Sequence, residues 1–473
     1  MDAEAVDQLN NVEHTVARLI ERARRAMDAF SHADQARVDE TVTALAWSVY
    51  RPEHAQALAE TAVRETGLGN VSDKITKNQR KTFGTLRDLM RVSSVGLLDD
   101  DAKTGIARYA KPVGVVAAIT PSTNPAATPV NKAMMAVKGG NAVIIAPPPG
   151  CWRATSATVE LMRKALSEVC APIDLVQVLP QPVSRALTQS LMKQADMVVA
   201  TGSQKNVRAA YGSGTPAIGV GAGNVPVIID STADLHDAAA KVSMSKVFDN
   251  STSCSSENSL VLLNSVYADM VTALQQVGGY LADANERRKI QNSLWQGDKL
   301  NRDLICKDAA VLATHIGLDT SAENARFFMV EESRFDKHSP FADEKLSLVL
   351  TLYRARDFDH AISLIRDILK VQGKGHSCGI HTADPANARH LAESIDVVRV
   401  LVNQAHTFGN GGSFDNGLNF TLSMGCGTWG GNSISENLNY RHFINITHLS
   451  HTVSEDRPSE EELFGQHWTK YGK

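Results

Sequence analysis

Between residues 113 and 200 the sequence alternates short, mostly apolar runs with longer stretches of helical periodicity. The runs at 113–120, 141–146, 175–179 and 197–200 are typical of strands that are buried on both faces. Since helix-like stretches separate these runs, they predict a parallel sheet that is covered by helices. The alternation returns after residue 237, which predicts a second α/β unit.

The composition limits the class of protein. Hydrophobic residues make up 43% of the 473 residues and charged residues 21%, as in ordinary globular proteins. A net charge of −4 provides no basic field for nucleic acid. The six cysteines lack metal-ligand or disulfide-framework spacing, the first residues do not resemble a signal peptide, and no apolar run is long enough to span a bilayer. We therefore expect a cytoplasmic protein without a metal site, a membrane partner or a nucleic-acid partner.

One cysteine stands in unusual surroundings. Cys254 lies within DNSTSCSSENSLVLL, residues 249–263, where hydroxyl and amide side chains surround the thiol and an apolar run follows. A structural cysteine prefers apolar neighbours, whereas a nucleophilic cysteine needs hydrogen bonds and access for a substrate. The surroundings suggest a nucleophile, and on this feature alone a structural role stays open.

Three further motifs follow or precede predicted strands. In ITPSTNPAATPVNKAM, Asn124 stands between a strand and a helix, where its amide can donate to an oxyanion; a turn asparagine before proline is the alternative. In VVATGSQKNVRAA, a helix start offers N–H groups to a phosphate, and an ordinary capped turn is the alternative. GVGAGNVPVIID does not fit the GxGxxG fingerprint, so we interpret it as a backbone that must pass close to another group.

Together these features resemble one family. TNP, ATGS, GVGAGNVP, the Cys254 segment and GHSCGIHT, in this order and spacing, are similar to the aldehyde dehydrogenases over about residues 10–450. The resemblance implies an α/β fold with a Rossmann-like cofactor domain, an α/β catalytic domain and a small oligomerisation arm. It also implies Cys254 as the nucleophile, Asn124 as the oxyanion donor and Glu344, in FADEKLS, as the residue that holds the nicotinamide ribose.

The resemblance also divides the chain and its site. The expected domains are a cofactor-binding domain at 1–236 with an arm at about 96–114, a catalytic domain at 237–424, and a C-terminal oligomerisation segment and tail at 425–473. The expected cofactor contacts are Thr120, Pro121, Pro147, Arg153, Thr201, Gly202, Ser203, Gly221, Gly223 and Glu344. The expected substrate contacts are Ser122, Thr123, Ser253, Ser255 and His376.

One departure from the family concerns the group that accepts the acyl chain. Hydrolytic members carry a glutamate in an ELGGK stretch, which activates water; here the stretch is GVGAGN, and no Asp or Glu occurs from 197 to 229. Without a base, water attack on an acyl-enzyme is slow, whereas a thiolate such as coenzyme A needs less help. The chain therefore resembles the acylating subgroup, with coenzyme A as cosubstrate. Glu257 is either a replacement base or, as we favour, a structural hydrogen-bond acceptor. A hydrolytic dehydrogenase and a non-catalytic scaffold are the rival interpretations.

A second departure concerns the nicotinamide cofactor. Many relatives have Lys-Pro-x-Glu after the second strand, which grips the adenosine ribose, whereas this chain has Ala146 followed by three prolines. The missing glutamate removes a charge that would repel a 2′-phosphate, and Arg153 is placed to pair with that phosphate. We expect NADP, with NAD as the other option and a solvated Arg153 as the alternative.

The hydroxyl groups around the thiol predict a polar or anionic aldehyde, because a long aliphatic chain would leave them unpaired. As a whole the chain is similar to the acylating sulfoacetaldehyde dehydrogenases, which interconvert sulfoacetaldehyde and sulfoacetyl-CoA. Acetaldehyde or another short aldehyde is the alternative. Acylating relatives form dimers or tetramers through an exchanged strand, for which 107–111 and 440–448 are candidates, so we expect a homodimer or homotetramer.

Overall fold

In the computed structural model, which describes residues 3–297, 299–319, 322, 324–335 and 340–473, two parallel sheets organise the chain. The strands are β1 (Gly96–Asp101), β2 (Ile106–Pro112), β3 (Val115–Ile119), β4 (Ala142–Ala146), β5 (Val176–Val178), β6 (Met197–Ala200), β7 (Ala217–Gly219), β8 (Val225–Ile229), β9 (Glu257–Leu263), β10 (Gly279–Leu281), β11 (Trp295–Gln296), β12 (Lys299–Leu300), β13 (Phe327–Glu331), β14 (Val349–Ala355), β15 (Gly375–His381), β16 (Val397–Val402) and β17 (Ile444–Ser450). The helices are α1 (Ala3–Phe30), α2 (Gln35–Tyr50), α3 (Pro52–Thr66), α4 (Val71–Leu89), α5 (Ala127–Lys138), α6 (Trp152–Glu168), α7 (Arg185–Gln194), α8 (Gln204–Tyr211), α9 (Leu235–Val247), α10 (Tyr267–Gln276), α11 (Ala284–Leu294), α12 (Ala309–Ile316), α13 (Phe358–Val371), α14 (Pro385–Ser394), α15 (His406–Gly409) and α16 (Glu460–Tyr471).

The first parallel sheet has five strands in the order β5-β4-β3-β6-β7. Every residue of β3, β4 and β6 is buried, because α1, α5, α6 and α7 pack against the sheet. The predicted parallel unit is therefore confirmed, and the run at 197–200 coincides with β6. No helix among the described residues is both long and apolar enough to cross a bilayer.

The second parallel sheet has seven strands in the order β10-β13-β14-β9-β8-β15-β16. Its central strand β9 is buried along its whole length, as its apolar sequence predicts. Cys254 lies in the loop that leads from α9 into β9. The second α/β unit is thus confirmed, and the cysteine stands at the amino end of its middle strand.

The passage from one sheet to the other differs from the expected domain boundary. β7 is the edge strand of the five-stranded sheet, whereas β8 pairs with β9 and β15 in the seven-stranded sheet. A boundary at residue 236 would separate β8 from its own sheet, so on topology the change falls between β7 and β8. The sequence concealed this because β8 is as apolar as the strands of the first sheet.

A third, antiparallel sheet joins distant parts of the chain. β2 lies between β1 and β17, and Ile444 is paired with Pro112 at one end of the register. Nearly all of β17 is exposed, and α16 beyond it has no buried residue. The expected arm and C-terminal segment therefore meet within one chain, and α16 is a helix that the sequence analysis treated only as a polar tail.

Candidate active site

A left-handed turn leads into the loop that carries Cys254. Asp249, Asn250 and Ser251 have φ values of 49°, 53° and 58°, a conformation that non-glycine residues rarely adopt. The Ser251 hydroxyl donates to the carbonyl of Lys246 at 2.6 Å, which ties the turn back to α9. Three such residues in succession store backbone strain, and strain of this kind is concentrated at functional sites.

Cys254 is half-buried beside a small polar cavity. Burial raises the pKa of the Cys254 thiol to about 12, the charge of Glu344 adds to this rise, and Arg399 opposes it. The thiol is therefore mostly protonated without ligands. The cavity is lined by Asn224, Lys246, Ser251, Ser253, Cys254, Ser256, Asn258, Glu344 and Leu346.

The glycine segment before β8 lies directly against the cysteine. A Cβ on Gly223 would lie 2.1 Å from the carbonyl oxygen of Cys254 and 2.7 Å from its Cβ. A Cβ on Gly221 would lie 3.1 Å from the sulfur of Cys426. The expectation that this backbone passes close to another group is confirmed, and the neighbour at Gly223 is the candidate nucleophile itself.

Asn124 and the cysteine loop are connected through a lysine that the sequence analysis did not consider. Asn124 follows β3, and its buried Oδ1 has no hydrogen-bond partner among the described residues. Lys74 of α4 donates to the carbonyl of Thr123 and to Asp249, both at 3.0 Å. It thus joins the residue before Asn124 to the turn that presents Cys254.

Glu344 is held at the edge of the same cavity. Burial raises its pKa to about 8, with a further rise from Asp343. Gln372 donates from Nε2 to the Glu344 carboxylate at 3.3 Å and to the carbonyl of Gly223 at 3.1 Å. The structure therefore brings three expected site residues, Cys254, Gly223 and Glu344, into one place.

Glu257 has a structural environment. It is the first residue of β9, is fully buried, and accepts a hydrogen bond from the backbone N–H of His406 at 2.9 Å. Burial raises its pKa to about 7. Because Glu257 does not line the cavity, these contacts favour the interpretation of a hydrogen-bond acceptor over that of a base.

Arg399 is a buried cation behind the loop. Its guanidinium donates to Asn410, Asn437 and the carbonyls of His376 and Gly425 at 2.8 to 3.1 Å. Asn410 in turn donates from Nδ2 to the Ser255 hydroxyl at 2.8 Å. Ser255, expected to contact substrate, is 1% exposed and supports the loop through this bond.

His376 lies elsewhere than expected. It is completely buried in β15, its Nδ1 is 2.8 Å from the Ser377 hydroxyl, and it is not among the residues that line the Cys254 cavity. Burial lowers its pKa well below the usual range. The structure thus gives His376 no contact with the reacting region, because strand β15 is covered on both faces.

The expected cofactor residues of the first sheet share one edge. Thr120 and Pro121 follow β3, and Thr201, Gly202 and Ser203 follow the adjacent β6. The buried Thr120 hydroxyl has no partner among the described residues, whereas Thr201 is 2.7 Å from the Ser423 hydroxyl. Ser203 caps α8. Carboxyl ends of neighbouring parallel strands form the usual ligand crevice of such sheets.

The start of α6, where the adenosine ribose is expected, contains an acid that the sequence analysis missed. Glu65 of α3 accepts from the backbone N–H groups of Arg153 and Ala154 at 2.9 and 2.8 Å. Arg153 itself is exposed, and Pro147 is buried. A carboxylate therefore occupies the start of α6, supplied from a distant helix instead of from the strand that carries it in many relatives.

Comparisons with known proteins identify the family of the chain. The sequence profile of the Aldehyde dehydrogenase family matches residues 5–282. This chain belongs to the aldehyde dehydrogenase family. It is 50% identical to a "Sulfoacetaldehyde dehydrogenase (acylating)" of Cupriavidus necator over 97% of this chain and 93% of that protein. A protein of the same name from Bilophila wadsworthia is 43% identical over 97% of this chain and all of that protein.

A solved structure shows the same fold. An acetylating aldehyde dehydrogenase from Geobacillus thermoglucosidasius superposes with a TM-score of 0.91 at 34% identity, over 95% of this chain and 99% of that one. The predicted family and fold class are therefore confirmed. Within the family, the chain is an oxidoreductase of the acylating aldehyde dehydrogenase class.

Proposed function

We propose that the protein interconverts sulfoacetaldehyde, coenzyme A and NADP with sulfoacetyl-CoA and NADPH through a thioester on Cys254. One observation carries the acyl-transfer chemistry: Gly223 packs so closely on Cys254 that the segment leaves no space there for a side chain that would activate water. Two carboxylates lie near Cys254. Glu257 accepts a hydrogen bond from the backbone of His406, and Glu344 accepts one from Gln372. A thiol nucleophile needs no such base.

The sulfur of Cys254 forms and later releases the covalent bond to the substrate carbon. Its thiolate adds to the aldehyde carbon, and the carbonyl electrons move to the oxygen, where Asn124 and the Cys254 backbone N–H donate hydrogen bonds. The carbon then loses a hydride, and a thioester forms. The thiolate of coenzyme A displaces Cys254, so that aldehyde, coenzyme A and NADP⁺ give acyl-CoA, NADPH and H⁺. A thioester is exchanged for a thioester, which keeps the reaction reversible.

NADP, when bound, supplies the acceptor for that hydride. Two features of this chain fit it: the unpaired Thr120 hydroxyl at the end of β3, and the Glu344 carboxylate, which can accept from a ribose hydroxyl beside Cys254. The preference for NADP over NAD depends on Arg153, which is exposed and free to swing towards a 2′-phosphate. Glu65 opposes this preference by its charge, so NAD is the alternative.

The substrate proposal rests on the relatives' names and on the polar cavity. Two relatives with 43 to 50% identity are named for sulfoacetaldehyde, and Ser253 and Ser256 line the cavity beside Cys254. Hydroxyl groups suit a polar or anionic aldehyde better than an aliphatic one. Acetaldehyde is the second candidate. A cytoplasmic location and assembly into a homodimer or homotetramer through the exposed β17 complete the proposal.

The test measures NADPH formation from sulfoacetaldehyde and from acetaldehyde, each with and without coenzyme A, and repeats it with NAD. We expect strict dependence on coenzyme A and a higher kcat/KM for sulfoacetaldehyde. Acetaldehyde preference would retain the chemistry and reject the sulfonate. Turnover without coenzyme A would mean that water is activated after all. Equal use of NAD and NADP, unchanged by Arg153→Ala, would reject the role of Arg153.

A further inference from the structure

Helix α4 directs one row of lysines towards the catalytic loop. Lys74, Lys77 and Lys81 are spaced i, i+3 and i+7, so they share one face of the helix. Their exposed fractions are only 3%, 6% and 9%. Because burying an ammonium group is unfavourable unless other groups compensate it, the partners of this row indicate what the row is for.

The row has too little negative charge around it. Asp249 forms ion pairs with Lys74 and Lys77, at 3.0 and 2.5 Å. Lys81 donates to the carbonyl of Gly411 at 2.8 Å, and within the described ranges it forms no ion pair with a carboxylate. An ammonium has three N–H donors, so this one carbonyl leaves Lys81 with further donors to offer.

Arg80 adds a second cation at the same place. Its guanidinium lies 5.1 Å from the ring centre of Phe414 and donates to the Ser413 hydroxyl at 2.7 Å. Its Nε is buried and has no hydrogen-bond partner in the part of the chain that the structure describes. Asp415 attracts Arg80 electrostatically. A buried donor without an acceptor is unusual in a native protein and points to a missing partner.

Lys81 is linked to the reacting cysteine by a short chain of contacts. Its acceptor Gly411 follows Asn410, which donates to the hydroxyl of Ser255, the residue after Cys254. Burial lowers the pKa of Lys81 to about 7, together with repulsion from Arg80 and Lys77, while the Cys254 thiolate raises it. A charge on the sulfur would therefore favour the ammonium form of Lys81.

We propose that Lys81, with Arg80 beside it, binds the anionic head of the aldehyde and selects sulfoacetaldehyde over neutral aldehydes. This inference rests on the proposed function. The sulfonate supplies the negative charge that the row lacks, and its oxygens accept from the remaining donors of Lys81 and from Nε of Arg80. The carbonyl, at the other end of the two-carbon substrate, then faces Cys254.

The test compares two aldehydes in Lys81→Met, which keeps the length of the side chain and removes its charge. We expect kcat/KM for sulfoacetaldehyde to fall by about 10- to 100-fold, chiefly through KM, because a charge-assisted hydrogen bond is lost. For acetaldehyde, which makes no such bond, we expect a change of less than about threefold. Lys81→Arg retains the charge and is expected to preserve the preference for sulfoacetaldehyde.

A matched control separates recognition from loss of a buried lysine. Lys138 at the end of α5 is also fully buried, and its partner is Asp39. Lys138→Met is expected to lower the melting temperature without changing the ratio of the two kcat/KM values. If Lys81→Met does not fold, Arg80→Met on the partly exposed neighbour provides the same comparison.

Each outcome of this test either supports or overturns the proposed role of Lys81. A selective loss for sulfoacetaldehyde supports the proposal. An equal loss for both aldehydes would mean that Lys81 supports the thiol or the fold, and an unchanged preference would place the sulfonate elsewhere; either result overturns it. If the unaltered enzyme shows no coenzyme A-dependent turnover of sulfoacetaldehyde, the proposed function fails first, and this failure is visible before any variant is made.

Discussion

Two buried polar regions border Cys254, and they differ in how their charges are balanced. The region at the amino end of β9 contains the acids Glu257, Asp343 and Glu344 and the lysines Lys246 and Lys345. The region along α4 contains three lysines, of which Lys74 and Lys77 pair with Asp249, whereas Lys81 pairs with no carboxylate in the described part of the chain. The first region places acids beside its lysines, whereas in the second region the charge of Lys81 has no such partner among the described residues.

The two regions therefore differ in how far a bound anion would stabilise them. In the first region burial raises the pKa of Glu344 to about 8 and lowers that of Lys246 to about 7, so both acid and base approach neutrality near physiological pH. Such a region needs no bound ligand to offset its buried charge. We expect the α4 region to gain stability from a bound anion, because a counter-charge would offset the burial of its ammonium groups. On our proposal, the first region shapes the site and the α4 region binds the anionic end of the substrate.

The largest expected effect comes from removing the group that both regions face. In Cys254→Ala we expect turnover to fall by more than about 10⁴-fold, since the thiol that would form the acyl-enzyme is removed. Binding of the nicotinamide cofactor, followed by fluorescence, should stay near that of the unaltered protein. Cys170→Ala, at an exposed cysteine away from the cavity, is the control. Near-normal turnover in Cys254→Ala would refute its role as nucleophile.

Asp249→Asn sharpens the comparison by removing the carboxylate that pairs with Lys74 and Lys77. Although burial opposes it, the charges of Lys77 and Lys74 lower the pKa of Asp249, so the carboxylate is ionised. Asparagine tolerates the φ of 49° at this position. Leaving two buried lysines unpaired should lower the free energy of unfolding by about 3–5 kcal/mol, measured by urea denaturation.

The control for this variant is a lysine with a more accessible partner. Asp39, the partner of Lys138, has 29% of its side chain exposed. Asp39→Asn should therefore lower the free energy of unfolding by less than Asp249→Asn does, because water that reaches the Asp39 site can offset part of the charge of Lys138. Equal losses in the two variants would contradict the view that the α4 region depends on Asp249.

Gly223→Ala adds volume next to Cys254, at the amino end of β9, without changing any charge. The added Cβ would meet the Cys254 backbone at 2.1 Å, and backbone atoms cannot move aside as a flexible side chain does. A displacement of the sulfur by about 1 Å should lower kcat by about 10²-fold. Gly431→Ala tests local specificity, because no atom lies within 4 Å of its added Cβ, although its φ of 68° costs some stability. Full activity in Gly223→Ala would show that the Cys254 loop can shift to accommodate the added Cβ.

Part of this arrangement was predictable from sequence. The buried strands, the second sheet and the cysteine loop follow from local patterns, and the glycine segment was expected to approach another group. The α4 lysines were not found, because lysines spaced i, i+3 and i+7 on a helix usually mark a solvated face. Only their tertiary contacts, with Asp249 for Lys74 and Lys77 and with Gly411 for Lys81, reveal them as buried. Glu65 was missed for the same reason, since it reaches the start of α6 from another helix.

The smallest expected effect is a pH dependence of the preference for sulfoacetaldehyde, which arises from the charge of Lys81 in α4. Burial, Arg80 and Lys77 lower the pKa of Lys81 to about 7, so in the free enzyme its charge is present below that pH and lost above it. The kcat/KM for sulfoacetaldehyde should therefore decline relative to that for acetaldehyde as the pH rises, by at most about tenfold per unit for one proton.

Using the ratio of the two aldehydes cancels the titration of Cys254 and Glu344, which both substrates share. In Lys81→Met the ratio should become independent of pH, while in Lys138→Met it should follow the unaltered protein. A ratio that stays constant in the unaltered enzyme would mean that the charge of Lys81 does not change with pH in this range, or that it does not contact the sulfonate. Loss of the preference in Lys81→Met then distinguishes the two, because only a lysine that touches the sulfonate can lose it.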